Sequence, residues 1–213
     1  MVRCTFRAHR FCVKILQMVQ PAVETDPIQR YLRAAERAIE RGIDTPPASL
    51  ATADASGRPS VRIVLLRQVD QRGFVFFTNY GSRKARELTE NPQAALCQHW
   101  PTLEEQIRVE GPVEIIDPAE SDRYFSGRPR DSQLGAWASD QSNELDSRDI
   151  LETRIAEVEA RFEGRPVDRP PFWGGFRIVP KRIEFWSGRP GRLHERLLYI
   201  KTASGWQTGW LFP

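Results

Sequence analysis

ASLATADASGRPSVRIVLL, residues 48–66, holds two extended runs joined at Ala55-Ser56-Gly57-Arg58-Pro59. A short polar joint with Gly and Pro, flanked by β-prone residues, reads as a hairpin. GFVFFTN (73–79) follows as a compact aromatic strand, and SRKARELTENP (82–92) as a short helix ended by Asn91-Pro92. AALCQHW (94–100) and EEQIRVEGPVEII (104–116) add two strands, the second alternating around Ile107, Val109 and Val113. The C-terminal part returns to strands in FRIVPKRIEFW (176–186), RLHERLLYIK (192–201) and GWQTGWLF (205–212). Strands that follow one another with few intervening helices argue for an antiparallel barrel rather than a parallel βαβ sheet.

Helices flank this β region. Asp26-Pro27 opens one in the expected way, Asp capping and Pro in the first turn, and it ends at Gly42. Asp117-Pro118 starts another, and RPRDSQLGAWAS (128–139) is a loop leading into a further helix. Residues 146–163 show the clearest amphipathic pattern, with Ile150, Leu151, Ile155, Val158 and Phe162 at helical spacing. The first 17 residues are basic, contain no acid and do not match the rest; residues 1–25 are expected to be a disordered extension, and residues 26–213 a single domain.

At 213 residues, 40% hydrophobic and 28% charged, the chain has the make-up of a globular domain able to bury most of its apolar surface. No run approaches the roughly 18 apolar residues of a spanning helix. The net charge of +3 is dispersed, without a Lys/Arg block, which argues against nucleic acid. Cys4, Cys12 and Cys97 fit neither a disulfide framework nor a zinc spacing, and His9, His99 and His194 are too scattered to complete one, so no metal site and a reduced cytoplasmic setting are expected. There is no GxGxxG and no P-loop, so a bound nucleotide would need another device.

Four segments concentrate polar residues beyond what packing asks for. Arg62-Ile63-Val64-Leu65-Leu66-Arg67 sets cations at both ends of an apolar run, on opposite faces of a strand; snorkelling ends of an exposed strand are the plainer reading. Thr78-Asn79-Tyr80-Gly81-Ser82-Arg83-Lys84 joins a strand to a helix, and helix-start amides, hydroxyls and two cations make a phosphate receptor. Tyr124, Arg128, Arg130 and Ser132 fall within nine residues and can converge on a second anion. In a strand, Arg192, His194 and Arg196 would share one face beside Trp186, a costly cluster unless it meets an anionic or π-rich ligand.

RIVLLR, FFTNYGSRK, RPRDSQLGAWAS with the following QS, PFWGGFRI, IEFW and RLHER, in this order and spacing from about Asp26 onward, closely resemble the pyridoxamine 5′-phosphate oxidase family. The resemblance implies an FMN-binding split β-barrel, mainly β with flanking helices, assembled as a homodimer. It places FMN against Arg62, Ile63, Val64, Leu65, Leu66 and Arg67, and against Phe77, Thr78, Arg83 and Lys84. Gln106, Gln141, Ser142, Trp186 and Arg196 complete that site, some of them from the second subunit. Arg67, Tyr124, Arg128 and Ser132 would meet a substrate phosphate, and Arg192 and His194, the catalytic pair, would cover the substrate ring. The implied reaction is FMN-dependent oxidation of pyridoxamine or pyridoxine 5′-phosphate to pyridoxal 5′-phosphate. Oxygen is the acceptor, hydrogen peroxide is released, and the amine also yields ammonia.

Four features depart from the family pattern. Arg67 stands where Lys is usual and Phe77 where Tyr is usual. The N-terminal Arg-x-x-Tyr segment has no counterpart in residues 1–25, and the chain ends Trp210-Leu211-Phe212-Pro213. LATADASGRPSVRIV and RLHERL also resemble phenazine-biosynthesis FMN oxidases acting on reduced phenazine precursors. A split barrel holding FMN or pyridoxal phosphate without turnover is a third reading.

Overall fold

The computed structural model describes residues 24–213. Its first helix, α1 (Pro27–Glu40), starts where Asp26 Oδ1 accepts the Ile28 N–H at 2.8 Å. Ile28, Tyr31, Ala34 and Ala38, spaced three and four apart, bury one face of α1 against the barrel, and Tyr31 Oη donates to Gln98 Oε1 at 2.8 Å. The hairpin of β1 (Pro47–Ala53) and β2 (Pro59–Asp70) pairs from Ala53 with Pro59 to Pro47 with Leu65. Asp54 Oδ1 accepts the N–H groups of Ser56 and Arg58 and sets the turn.

The remaining strands are β3 (Gly73–Asn79), β4 (Gln93–Trp100), β5 (Glu105–Ile115), β6 (Trp173–Ile178), β7 (Arg182–Ser187), β8 (Glu195–Thr202) and β9 (Gly205–Trp210). Strands β4, β1, β2, β3, β6 and β5 pair in that order, and β4 pairs again with β5, closing a six-stranded antiparallel barrel. The barrel is split at β5. Its last residues, Val113–Ile115, pair with β6, while Glu105–Glu110 pair with β7, which leads on to β8 and β9. Gly111 sits at the fork, and any Cβ there would overlap the carbonyl of Val179 as the chain crosses from β6 to β7. Leu50, Phe74, Phe76, Leu96, Ile107, Val109, Ile178, Ile183 and Tyr199 fill the core.

Helices α2 (Arg83–Glu90), α3 (Pro118–Ser126), α4 (Arg130–Ala138) and α5 (Arg148–Arg161) lie outside the barrel. Phe125, Leu134, Phe162, Val167 and Trp173 form a second, smaller apolar cluster under α3 and α4.

Three expectations need correction. FRIVPKRIEFW is two strands, because the chain turns at Val179–Lys181 to change partners. RLHERLLYIK is extended only from Glu195: Pro190–Arg192 form a 3₁₀ turn with φ of 67° at Gly191 and 62° at Arg192. Arg192, His194 and Arg196 therefore do not share a strand face; Pro190-Gly191 breaks the extension first. The apolar stripe of α5 is buried only at its end: Phe162 is covered and Val158 packs beside it, but Ile150 is exposed and Leu151 and Ile155 half-exposed. The helix lies mainly on α4, so most of the stripe has nothing to pack against. Of the expected N-terminal extension, residues 1–23 lie outside the described residues, and the carbonyl of Glu24 is held by Tyr199 Oη at 2.6 Å.

Candidate active site

The outward face of β2 and the ends of β3 and β6 meet α3 and α4 around a cleft of about 890 Å³. A β-bulge between Leu66 and Gln68 leaves Arg67 out of the ladder and turns it into the cleft. Ile63 and Leu65 form the floor, which Val64 also touches, whereas Val64 and Leu66 are buried in the barrel core and Leu66 does not reach the cleft. Phe77, Thr78, Lys84, Tyr124, Arg128, Ser132 and Gln141 also line the cleft, so eleven of the sequence candidates converge there.

One end of the cleft is a cationic seat at the start of α2. Lys84 is buried, and its Nζ donates to Thr78 Oγ1 at 3.1 Å, Ser82 Oγ at 3.2 Å and Gln141 Oε1 at 3.3 Å, all of them neutral oxygens. Burial, reinforced by the nearby Arg62 charge, brings its pKa down to about 8 despite the opposing pull of Glu87. Arg62 and Arg83 lie behind this seat rather than in the cleft lining, each paired with Glu87, at 3.3 and 2.8 Å.

A second cationic spot is made by Arg67 and Arg128, neither of which has a carboxylate partner among the described residues. The Arg128 guanidinium lies 4.7 Å from the Trp173 ring centroid, and its buried Nη1 finds no hydrogen-bond acceptor. Burial first, and the Arg67 charge in addition, hold its pKa below the usual arginine range. Beside it, Phe77, Tyr124 and Trp173 stand nearly parallel, with Phe77 3.9 Å from Tyr124 and 5.3 Å from Trp173 between centroids. An orphaned, buried guanidinium nitrogen beside a second cation calls for an anion. Two such spots and a wall of flat rings fit a phosphorylated flavin together with a second anionic ligand.

The other candidates lie elsewhere in the protomer. Gln106 and Trp186 line a separate groove of about 150 Å³ against α1. His194 packs on Trp186, with ring centroids 4.6 Å apart, and its Nδ1 accepts the backbone N–H of Arg189 at 3.2 Å. That bond assigns the proton of the neutral imidazole to Nε2. Arg192 is exposed on its turn, and Ser142 is exposed with φ of 73°. Arg196 is clamped by the buried Glu184, whose oxygens accept from Nε at 2.7 Å and Nη2 at 3.1 Å.

Sequence reasoning missed Glu87 and Trp173 as site residues, and it gave Ser82, in the helix-start segment, and Glu184, in the IEFW motif, no contact of their own. Glu87 stood four residues after Arg83, a spacing at which helix side chains meet, and Trp173 begins the Trp-Gly-Gly run already singled out for its resemblance. Nothing in the pattern around Glu184 marked it as the partner of Arg196.

A split antiparallel barrel whose cleft joins two anion seats to a wall of rings defines a class, the FMN-binding split-barrel proteins. Residues 35–162 match the Pyridoxamine 5′-phosphate oxidase family, and residues 173–213 match the Pyridoxine 5′-phosphate oxidase C-terminal dimerisation region. The chain belongs to the pyridoxine/pyridoxamine 5′-phosphate oxidase family, a family of FMN-dependent oxidoreductases. It is 55% identical to the pyridoxine/pyridoxamine 5′-phosphate oxidase of Anaeromyxobacter dehalogenans over 91% of this chain and 98% of that one. Among solved structures it is similar to PhzG from Burkholderia lata 383 in complex with tetrahydrophenazine-1-carboxylic acid. The TM-score is 0.85 and the identity 34%, covering 90% of this chain and 95% of that one. A pyridoxamine 5′-phosphate oxidase-related FMN binding protein of Nostoc punctiforme shares the fold, with a TM-score of 0.70, 17% identity, and 90% and 100% of the two chains covered.

Proposed function

We propose that this chain, as a cytoplasmic homodimer, oxidises pyridoxine or pyridoxamine 5′-phosphate to pyridoxal 5′-phosphate, with FMN as cofactor and oxygen as final acceptor. The observation that carries the reading is the second cationic spot, where Arg67 and the orphaned Nη1 of Arg128 await an anion separate from the one at Lys84. The identity to curated oxidases favours a phosphorylated vitamer as that anion's bearer.

When bound, FMN supplies the electron-accepting chemistry. Lys84, with the hydroxyls of Thr78 and Ser82, holds the cofactor phosphate, and Phe77, Tyr124 and Trp173 keep water from the cleft. Arg67 and Arg128 hold the substrate phosphate, assisted by Tyr124 and Ser132. His194 offers an Nε2–H donor and Arg192 a guanidinium on a fixed turn, both suited to orienting a pyridine ring. These two residues lie away from the cleft of their own protomer; in this reading the Gln106, Trp186 and Arg196 face of one subunit meets the cleft of the other across the two-fold axis. Two findings support that assembly. The last 41 residues match a dimerisation region, and Val61, Ile63 and Leu65 expose 69%, 63% and 41% of their surface along the outward face of β2.

The likeness to PhzG supports a second reading, in which the anion at Arg67 and Arg128 is the carboxylate of a reduced phenazine. Arg128→Ala tests the preferred one. A lost charge-assisted contact of about 1.5–3 kcal/mol should raise KM for pyridoxine 5′-phosphate roughly 10- to 150-fold and leave FMN bound. An unchanged KM would remove the support for a substrate phosphate at this spot.

A further inference from the structure

We infer that Glu87 is a positioning residue for the cofactor phosphate: it fixes Arg62 and Arg83 directly behind the seat and brings the local charge to match one phosphate dianion. The inference rests on the FMN reading above.

Glu87 is 5% exposed, and its carboxylate joins three elements. Oε2 accepts from Ser60 Oγ at 2.6 Å, from Thr52 Oγ1 at 2.5 Å and from Arg62 Nη2 at 3.3 Å, while Oε1 accepts from Arg83 Nε at 2.8 Å. The hairpin of β1 and β2 is thereby fastened to the first turn of α2, the turn that carries Lys84. It is the sole carboxylate paired with either arginine among the described residues. Arg62, Arg83 and Lys84 carry three positive charges and Glu87 one negative, which leaves a net charge of two. That matches a phosphate monoester near neutral pH. Without Glu87, Arg83, whose side chain is 59% exposed, has no partner to hold it at the helix start. Three like charges would also crowd one another there. The same carboxylate helps keep Lys84 protonated, since its charge opposes the downward pull of burial and of Arg62.

A purely architectural Glu87 would serve every flavin equally; a phosphate-positioning one would not. The test is therefore a comparison of FMN with riboflavin, the same ring and ribityl chain without the phosphate, each titrated into apoprotein by flavin fluorescence. Wild type should prefer FMN strongly. Glu87→Gln, which keeps size and some hydrogen bonding, should weaken FMN about tenfold and leave riboflavin unchanged. Glu87→Asp keeps the charge with a shorter reach, should fold wherever the Gln variant does not, and should fall between the two. Double substitution with Arg83→Gln should add little to Glu87→Gln alone, because both act through one contact. Unchanged FMN affinity in the Glu87 variants, or an equal loss for riboflavin, would overturn the proposal. A wild type that binds riboflavin as tightly as FMN would instead defeat the phosphate-seat reading on which it rests.

Discussion

In Lys84→Met a buried ammonium gives way to an apolar side chain of similar length. Lys84 is 8% exposed, and its ammonium is solvated by three neutral oxygens between 3.1 and 3.3 Å. Its pKa falls from 10.5 to about 8, chiefly through burial. At about 1.4 kcal/mol per pH unit, and discounted for screening by the solvent that still reaches the seat, that is a penalty of roughly 2–3 kcal/mol for keeping the charge in the folded apoprotein. Below pH 8 both folded and unfolded chains are protonated and the penalty is fully present. Between 8 and 10.5 the unfolded chain binds the proton and the folded one does not, so apoprotein stability rises with pH. Methionine removes the penalty but also the hydrogen bonds, while Thr78 Oγ1 and Ser82 Oγ remain 3.3 Å apart and can still bond each other. The net expectation at pH 7 is a gain of about 1–2 kcal/mol, or a rise in apoprotein Tm of roughly 2–8 °C. FMN affinity should move the other way, by 10- to 150-fold, for loss of about 1.5–3 kcal/mol of charge-assisted binding. Scanning calorimetry of the apoprotein and a flavin fluorescence titration read the two effects separately. In wild type the same titration should show affinity falling as pH rises through about 8. A variant with a lower apoprotein Tm and unchanged FMN affinity would refute the account of this seat.

Two further substitutions separate chemistry from architecture. Arg192→Gly relieves the left-handed backbone that a side chain adopts at a cost of about 1–2 kcal/mol, so Tm should not fall, while the orienting role proposed for its guanidinium predicts a drop in kcat; steady-state kinetics beside a melting curve decides it. Gly111→Ala drives a methyl group into the Val179 carbonyl at the fork of β5 and should cost at least about 2 kcal/mol in denaturant unfolding; a wild-type midpoint would mean that the fork can open.

The barrel was readable from the sequence wherever turn chemistry and strand period agreed. Residues 48–66 declare a hairpin through Gly57 and Pro59, and residues 73–79 are a strand at the boundaries read from the aromatic run. The cationic seats were readable too, because Arg83-Lys84 at a helix start and Arg128 near Tyr124 lie close in sequence. What escaped was long-range or hidden by a competing pattern. The alternation of Arg192, His194 and Arg196 imitates a strand face, yet Pro190-Gly191 imposes a turn before β8 begins. The stripe of α5 is amphipathic by spacing, but spacing does not say whether a neighbour is there to cover it. Glu87 looks like any charged helix residue, and only the return of the β1–β2 hairpin shows that Thr52, Ser60 and Arg62 converge on it.

The central claim, that this cleft oxidises a phosphorylated B6 vitamer, is tested most directly by one assay of the purified, FMN-loaded protein. Pyridoxine 5′-phosphate, pyridoxamine 5′-phosphate and a tetrahydrophenazine carboxylic acid are offered in turn under air, with pyridoxal 5′-phosphate and hydrogen peroxide quantified together. The account predicts pyridoxal 5′-phosphate and peroxide in equal amounts from either vitamer, at a higher kcat/KM than for the phenazine. Oxidation of the phenazine alone, or no peroxide from any of the three, would contradict it.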